Sequence, residues 1–185
     1  MRRRLPLFAC VLAIAGCGNE QQNPPDVVAP ARATGAMESQ AFAPAGIEFL
    51  APADWHVQAG QGPLVATVQS GPAQIAVWRY PRSEPLPKTG EQLDEARDLL
   101  LKAAKARDQT FKEARTAIAR LDGHPMIQVR GTETVSGQPR TVRSTHVYAF
   151  GAEVVVDAFA PPGVFDQVDA EAFRPLVRSL KLRAP

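Results

Sequence analysis

Ser144, His146 and Asp157 carry the groups of a nucleophile, a base and a carboxylate, and in that order they suggest acyl transfer through a hydrolase triad. Spacing argues against it. Ser144 and His146 lie two residues apart in a segment that alternates like a strand, so they share a face with Cα atoms about 7 Å apart. No strand-to-helix elbow surrounds the serine to expose it as a nucleophile. A two-residue loop at Gly151-Ala152 pairs Phe150 with Glu153, which sets Tyr148 opposite Val155, His146 opposite Asp157 and Ser144 opposite Phe159. Asp157 interrupts the apolar run from Val154 to Phe159, and a half-buried carboxylate needs a partner. The pattern therefore predicts a structural or binding pair, His146 with Asp157, and no catalytic residue.

The other candidates are weaker. His56 follows Trp55, His124 adjoins the Asp122-Gly123 turn, and neither belongs to a cluster with metal-ligand spacing. Gly60-Gln61-Gly62 leads into Pro63 and a strand, the wrong setting for a phosphate loop. Neither a metal nor a cofactor is implied. Arg130, Arg140 and Arg143 fall on neighbouring strands, either as a basic patch or as solvated charges on a sheet face. Trp78 and Tyr80 share one face of their strand and point into the core or toward a partner groove.

A different chemistry stands near the N-terminus. Arg2-Arg3-Arg4 precede an apolar run from Leu5 to Ala15, the pattern of a secretory signal. That run is too short for a spanning helix, which needs about 20 apolar residues. Ile14-Ala15-Gly16-Cys17 resembles the lipobox of bacterial lipoproteins. The resemblance implies that residues 1–16 are removed as a signal peptide and that Cys17 is lipidated, with palmitate among its acyl chains. Two or more such chains hold a protein stably on a membrane, at roughly 0.8 kcal/mol per buried methylene.

Charge follows the same division. The full chain has a formal charge of +2, and without Arg2, Arg3 and Arg4 it becomes −1. A near-neutral mature protein has no global field for nucleic acid. Cys10 lies within the signal, so the mature domain has neither a catalytic thiol nor an intramolecular disulfide. Residues 17–45 are polar, proline-punctuated and rich in small side chains, a composition that predicts a disordered tether after the lipidated cysteine. Within it, Met37 to Phe42 are the residues that would pack on the domain if any do.

Residues 46–185 form the folded domain. Ile47 and Phe49 alternate, Leu64 to Gln69 and Ala73 to Tyr80 predict a hairpin, and Pro81 to Lys88 is loop. Thr89 and Gln92 form a capping box for a helix whose inward stripe is Leu93, Ala96, Leu100 and Ala103. Four strands then follow as an antiparallel meander, punctuated by Asp122-Gly123, Ser136-Gly137 and Gly151-Ala152. Phe173, Leu176, Val177 and Leu180 mark a second helix entered near Asp169, with Pro175 forcing a kink or a late start. Ser179 to Arg183 close the domain as a short strand.

This order, with Pro52 shortly before Trp55 and a closing Ser179-Leu180-Lys181-Leu182, looks like the PsbP/Mog-like superfamily. The resemblance implies an α+β fold, an antiparallel β-sheet flanked by helices on both faces in an α/β/α sandwich. It also implies a non-catalytic binding or accessory module. The combined expectation is an extracytoplasmic, lipid-anchored lipoprotein of the cell envelope, held on the cell membrane or outer membrane, with an envelope protein as partner and no nucleic acid. The alternatives are a hydrolase-like enzyme using His146 and Asp157, and a carrier of a small apolar ligand between sheet and helix.

Overall fold

The computed structural model describes residues 32–185. The signal segment, Cys17 and the tether up to residue 31 lie outside the described residues.

The chain begins with strand β1 (Met37–Phe42), a short 3-10 turn at Ala43–Ala45 and strand β2 (Ile47–Pro52). Strands β3 (His56–Ala59), β4 (Leu64–Ser70) and β5 (Ala73–Pro81) lead to helix α1 (Gly90–Arg107). The meander follows as β6 (Lys112–Leu121), β7 (His124–Val135), β8 (Gln138–Ala149) and β9 (Ala152–Ala160). Helices α2 (Pro162–Val168) and α3 (Arg174–Ser179) and strand β10 (Lys181–Leu182) complete it. Seven strands form one antiparallel sheet in the order β3-β4-β5-β9-β8-β7-β6, and β1-β2-β10 form a second, smaller sheet. The hairpin and the strand order of the meander are as expected, with the β8–β9 turn displaced by one residue; what joins them is the pairing of β5 with β9.

Two cores lie on opposite faces of the large sheet. On one, Phe49 from β2 and Phe165, Phe173 and Leu176 from the C-terminal helices pack on Ile75, Val77 and Val154. On the other, Leu93 from α1 packs with Phe111, Ile127, Val129 and Val142. This is the expected sheet with helices on both faces. Helix α1 carries the capping box: Thr89 Oγ1 accepts from Gln92 N–H, and Gln92 Oε1 accepts from Thr89 N–H. Its inward stripe runs Leu93, Ala96, Leu100 and Ala104, whereas Ala103 is exposed.

Three expectations need correction. The tether does not extend to residue 45, because Met37–Phe42 is a strand running antiparallel to β2. Phe42 stacks on the buried Phe49 with ring centroids 5.5 Å apart, and that apolar contact anchors the segment. Next, the C-terminal helix starts at Pro162, ahead of Asp169. It passes Pro175 through a wide turn at Asp169–Phe173, in which Arg174 N–H bonds to the Asp169 carbonyl five residues back. Widening the helix there relieves the clash that a proline ring makes with the preceding turn. The third correction concerns the β8–β9 turn and is decisive for the site. Among the described residues, no helix is long and apolar enough to cross a membrane.

Candidate functional site

The β8–β9 hairpin turns on Phe150 and Gly151, both in the left-handed region at φ 48° and 66°. Such paired positive φ values belong to the tight turn that matches strand twist. Phe150 adopts a conformation that most side chains avoid, which is why the sequence pattern favours Gly151-Ala152 as the loop. Two contacts fix the observed frame: Arg79 Nη2 donates to the Phe150 carbonyl at 3.2 Å, and Arg82 N–H donates to the Gly151 carbonyl at 2.9 Å. The frame moves the register by two residues, so Ser144 faces Asp157, His146 faces Val155 and Tyr148 faces Glu153. A shift of two keeps every side chain on its face. The predicted direct pair of His146 with Asp157 is therefore replaced by a row.

In that row Ser144 Oγ donates to Asp157 Oδ1, and Ser144 Oγ and His146 Nε2 lie 2.8 Å apart. His146 Nδ1 is 2.8 Å from Glu153 Oε1, and Arg82 Nη2 donates to Glu153 Oε2. Ser144 thus stands between the two residues expected to meet. The hydroxyl has one proton to give. When it goes to an ionised Asp157, His146 donates from both ring nitrogens and is an imidazolium. When Asp157 carries the proton, the order reverses and the ring is neutral. Both arrangements hold the same number of protons.

Electrostatics separate the two carboxyls. Burial raises the pKa of Asp157, and the Ser144 hydrogen bond and the charges of His146 and Arg107 offset this only in part. Burial also works against ionised Glu153, but the hydrogen bonds and charges of His146 and Arg82 outweigh it and hold that carboxyl below its ordinary value. Tyr148 is pushed up, first by burial and then by the charge of Glu153.

The row floors a cleft of about 460 Å³ between the second half of α1 and the sheet. Its apolar walls include Leu100, Ala104, Phe111, Val129 and Val142; Tyr80 stands at one side, with Arg82 and Arg107 at others. Gly131 seats the Phe111 wall, since a Cβ there would come within 2.6 Å of the ring and 2.7 Å of the Lys112 carbonyl. A second groove of about 690 Å³ shares Arg82, Leu100, Ala103 and Glu153 with the first and runs on between α1 and Pro85-Leu86-Pro87.

Tyr80 lines the cleft, Trp78 is half-buried, and neither belongs to the two core clusters. Their rings stack at 6.1 Å and 10°, and Tyr80 remains 37% exposed. The three arginines do not form one patch. Arg130 and Arg143 are direct cross-strand partners on the α2 side, where they bond to Asp166 at 2.6 Å and Asp169 at 2.7 Å. Arg140 faces Glu133, which lies on the opposite face of β7 from Arg130. Sequence reasoning missed Glu153 and Arg82 as members of the site. The signal for Glu153 was its position two residues past a glycine turn in an otherwise apolar strand. Among the described residues, no group of three or more histidine, cysteine or acidic side chains could hold a metal ion.

No family model matches the chain, and no curated protein matches it in sequence. Solved structures do match in fold. The cyanobacterial PsbP protein CyanoP from Synechocystis sp. is similar with a TM-score of 0.62 at 15% identity, over 80% of this chain and 94% of that one. LpqN of Mycobacterium tuberculosis, described as involved in cell envelope biogenesis, is similar with a TM-score of 0.51 at 16% identity, over 81% and 91%. A Pseudomonas aeruginosa protein described as a putative regulator gives 0.55 at 13% identity, over 80% and 99%. The domain has a PsbP-like fold.

Proposed function

We propose that this protein is a lipid-anchored, extracytoplasmic lipoprotein whose PsbP-like domain acts as a non-catalytic binding or accessory module of the cell envelope. Cys17 in its lipobox-like setting supplies the anchor. The envelope role described for LpqN, a protein of like fold, is compatible with this address.

The observation that carries the non-catalytic reading is the placing of Ser144. Its hydroxyl has the connectivity of a triad, with His146 Nε2 at 2.8 Å and Glu153 beyond. Yet the same hydroxyl is bound to Asp157, and a carboxylate beside a nucleophile opposes the negative charge that develops during attack. Ser144 also lies mid-strand between β7 and β9, where its backbone groups belong to the ladder and are not free to form an oxyanion hole. The row ties the side chains of the cleft floor to one another.

An anchored domain is confined to a thin layer, which raises its effective concentration for partners there. The test has two arms. Cells expressing the full chain are fed an alkyne-tagged palmitate analogue, and a photo-crosslinker replaces Leu99, which is 59% exposed at the groove rim. The native protein takes up label, a Cys17→Ser variant does not, and the crosslinker captures an envelope protein. Mass spectrometry finding residues 1–16 attached and no acyl chain overturns the anchor. Turnover of ester substrates that disappears in Ser144→Ala overturns the non-catalytic role.

A further inference from the structure

We propose that the cleft between α1 and the sheet binds an organic ammonium, with the charged group on Asp157 and Tyr80 and an apolar body against Leu100, Phe111 and Val142. This deepens the reading of the domain as a binding module and rests on it. Of the two carboxylates in the cleft, Glu153 is matched by Arg82 and His146. Asp157 is not: among the described residues its hydrogen-bond partner is the Ser144 hydroxyl on Oδ1, and no ion pair reaches it. Asp157 lines the cleft, and its hydrogen bond to Ser144 engages Oδ1. A carboxylate removed from most of its water, with no direct ion pair and with its nearest cation, His146, held behind Ser144 and shared with Glu153, is a site for a cationic donor.

The surroundings select among cations. Tyr80 lines the same cleft and stacks near-parallel with Trp78, which puts an aromatic ring, a group that attracts ammonium ions, beside Asp157. The remaining walls are apolar, which disfavours a bare metal ion and suits a hydrocarbon body. Arg82 and Arg107 lie toward solvent, with side chains 46% and 69% exposed, and are engaged by Glu153 and Glu133. They disfavour ligands with more than one positive charge. A volume of about 460 Å³ falls in the range of small-ligand sites.

Calorimetry on the full chain in phosphatidylcholine nanodiscs tests this with three water-soluble probes of one shape: 2-phenylethylammonium, 2-phenylethanol and phenylacetate. The ammonium binds at least ~10-fold tighter than the alcohol, and phenylacetate binds weakest. Asp157→Asn, which keeps the shape and a hydrogen bond to Ser144, brings the ammonium and alcohol within about 2-fold. Should that variant not fold, Tyr80→Leu at a half-exposed position lowers ammonium affinity while leaving the alcohol nearly unchanged. Arg130→Gln on the other face changes neither. Equal affinities, or a preference for phenylacetate, overturn the ammonium assignment while leaving a binding cleft. No binding of any probe overturns the cleft as a small-ligand site and leaves the envelope-partner role to the crosslinking arm.

Discussion

Asp157 and Glu153 sit four residues apart on one strand and respond oppositely to pH. Burial raises the folded pKa of Asp157, so its protonated form favours folding. Its contribution is fully present below the ordinary aspartate value and is lost as pH rises through the folded pKa. Glu153 has a lowered folded pKa, the net result of burial opposed by His146 and Arg82. Its contribution is present above the ordinary glutamate value near 4.5 and is lost as pH falls through the folded pKa. Substitution separates the two. Asp157→Asn leaves stability at pH 7 unchanged or raised, because it removes a charge that burial penalises. Glu153→Gln lowers it by about 1–3 kcal/mol, because Arg82 and His146 lose a charged acceptor. Denaturant unfolding at pH 4 and pH 7 reads both: the Glu153 loss shrinks at pH 4. A Glu153→Gln loss that is equal at both pH values contradicts the assignment.

The elements show where local chemistry fixes the fold and where it does not. At Gly151 the turn needs a positive φ of 66°, so Gly151→Ala costs about 1–2 kcal/mol although no atom lies within 4 Å of the added methyl. Gly163 lies in the first turn of α2 with equal space and no positive φ, so Gly163→Ala stabilises by about 0.5–1 kcal/mol. Thermal unfolding of the two variants gives shifts of opposite sign. Phe42→Ala, which unstacks β1 from Phe49, lowers stability by about 2 kcal/mol in the same measurement. These contrasts also show how far the sequence is legible. Asp122-Gly123, Ser136-Gly137 and the Thr89/Gln92 box announce themselves, because small polar residues and glycine have local reasons to occupy those conformations. Phe150 has none; its turn is held by Arg79 from β5, a contact 71 residues away in sequence. From that one turn follows the whole register of β9, and with it the partners of Ser144, His146 and Glu153. The β1 strand was hidden for a similar reason, since its anchor Phe42 sits among small residues and its partner strand was the only sign of a surface to cover.

On the scale of the molecule, the sheet divides two cores of unequal strength. The β2, α2 and α3 side buries Phe49, Phe165, Phe173 and Leu176 completely, and the wide turn brings Asp169 onto Arg143 at 2.7 Å. The α1 side buries less. Of the helix residues only Leu93 is fully inside, Leu99 is 59% exposed, and the cleft opens beneath the second half. A helix held at its capped end and undercut toward the other opens locally at a lower free energy than the more deeply buried β8, β9 and α3. Hydrogen exchange on the full chain therefore shows amides of Leu99–Arg107 exchanging well before those of β8, β9 and α3. Residues near Leu93 lie between, because the capping box and the buried leucine hold that end. Occupation of the cleft by 2-phenylethylammonium fills the space under α1, so it slows exchange in Leu99–Arg107 and leaves α3 unchanged. Protection spread evenly across α1 and α3 in the free protein contradicts this, and slowing confined to α3 places the ligand on the wrong face of the sheet.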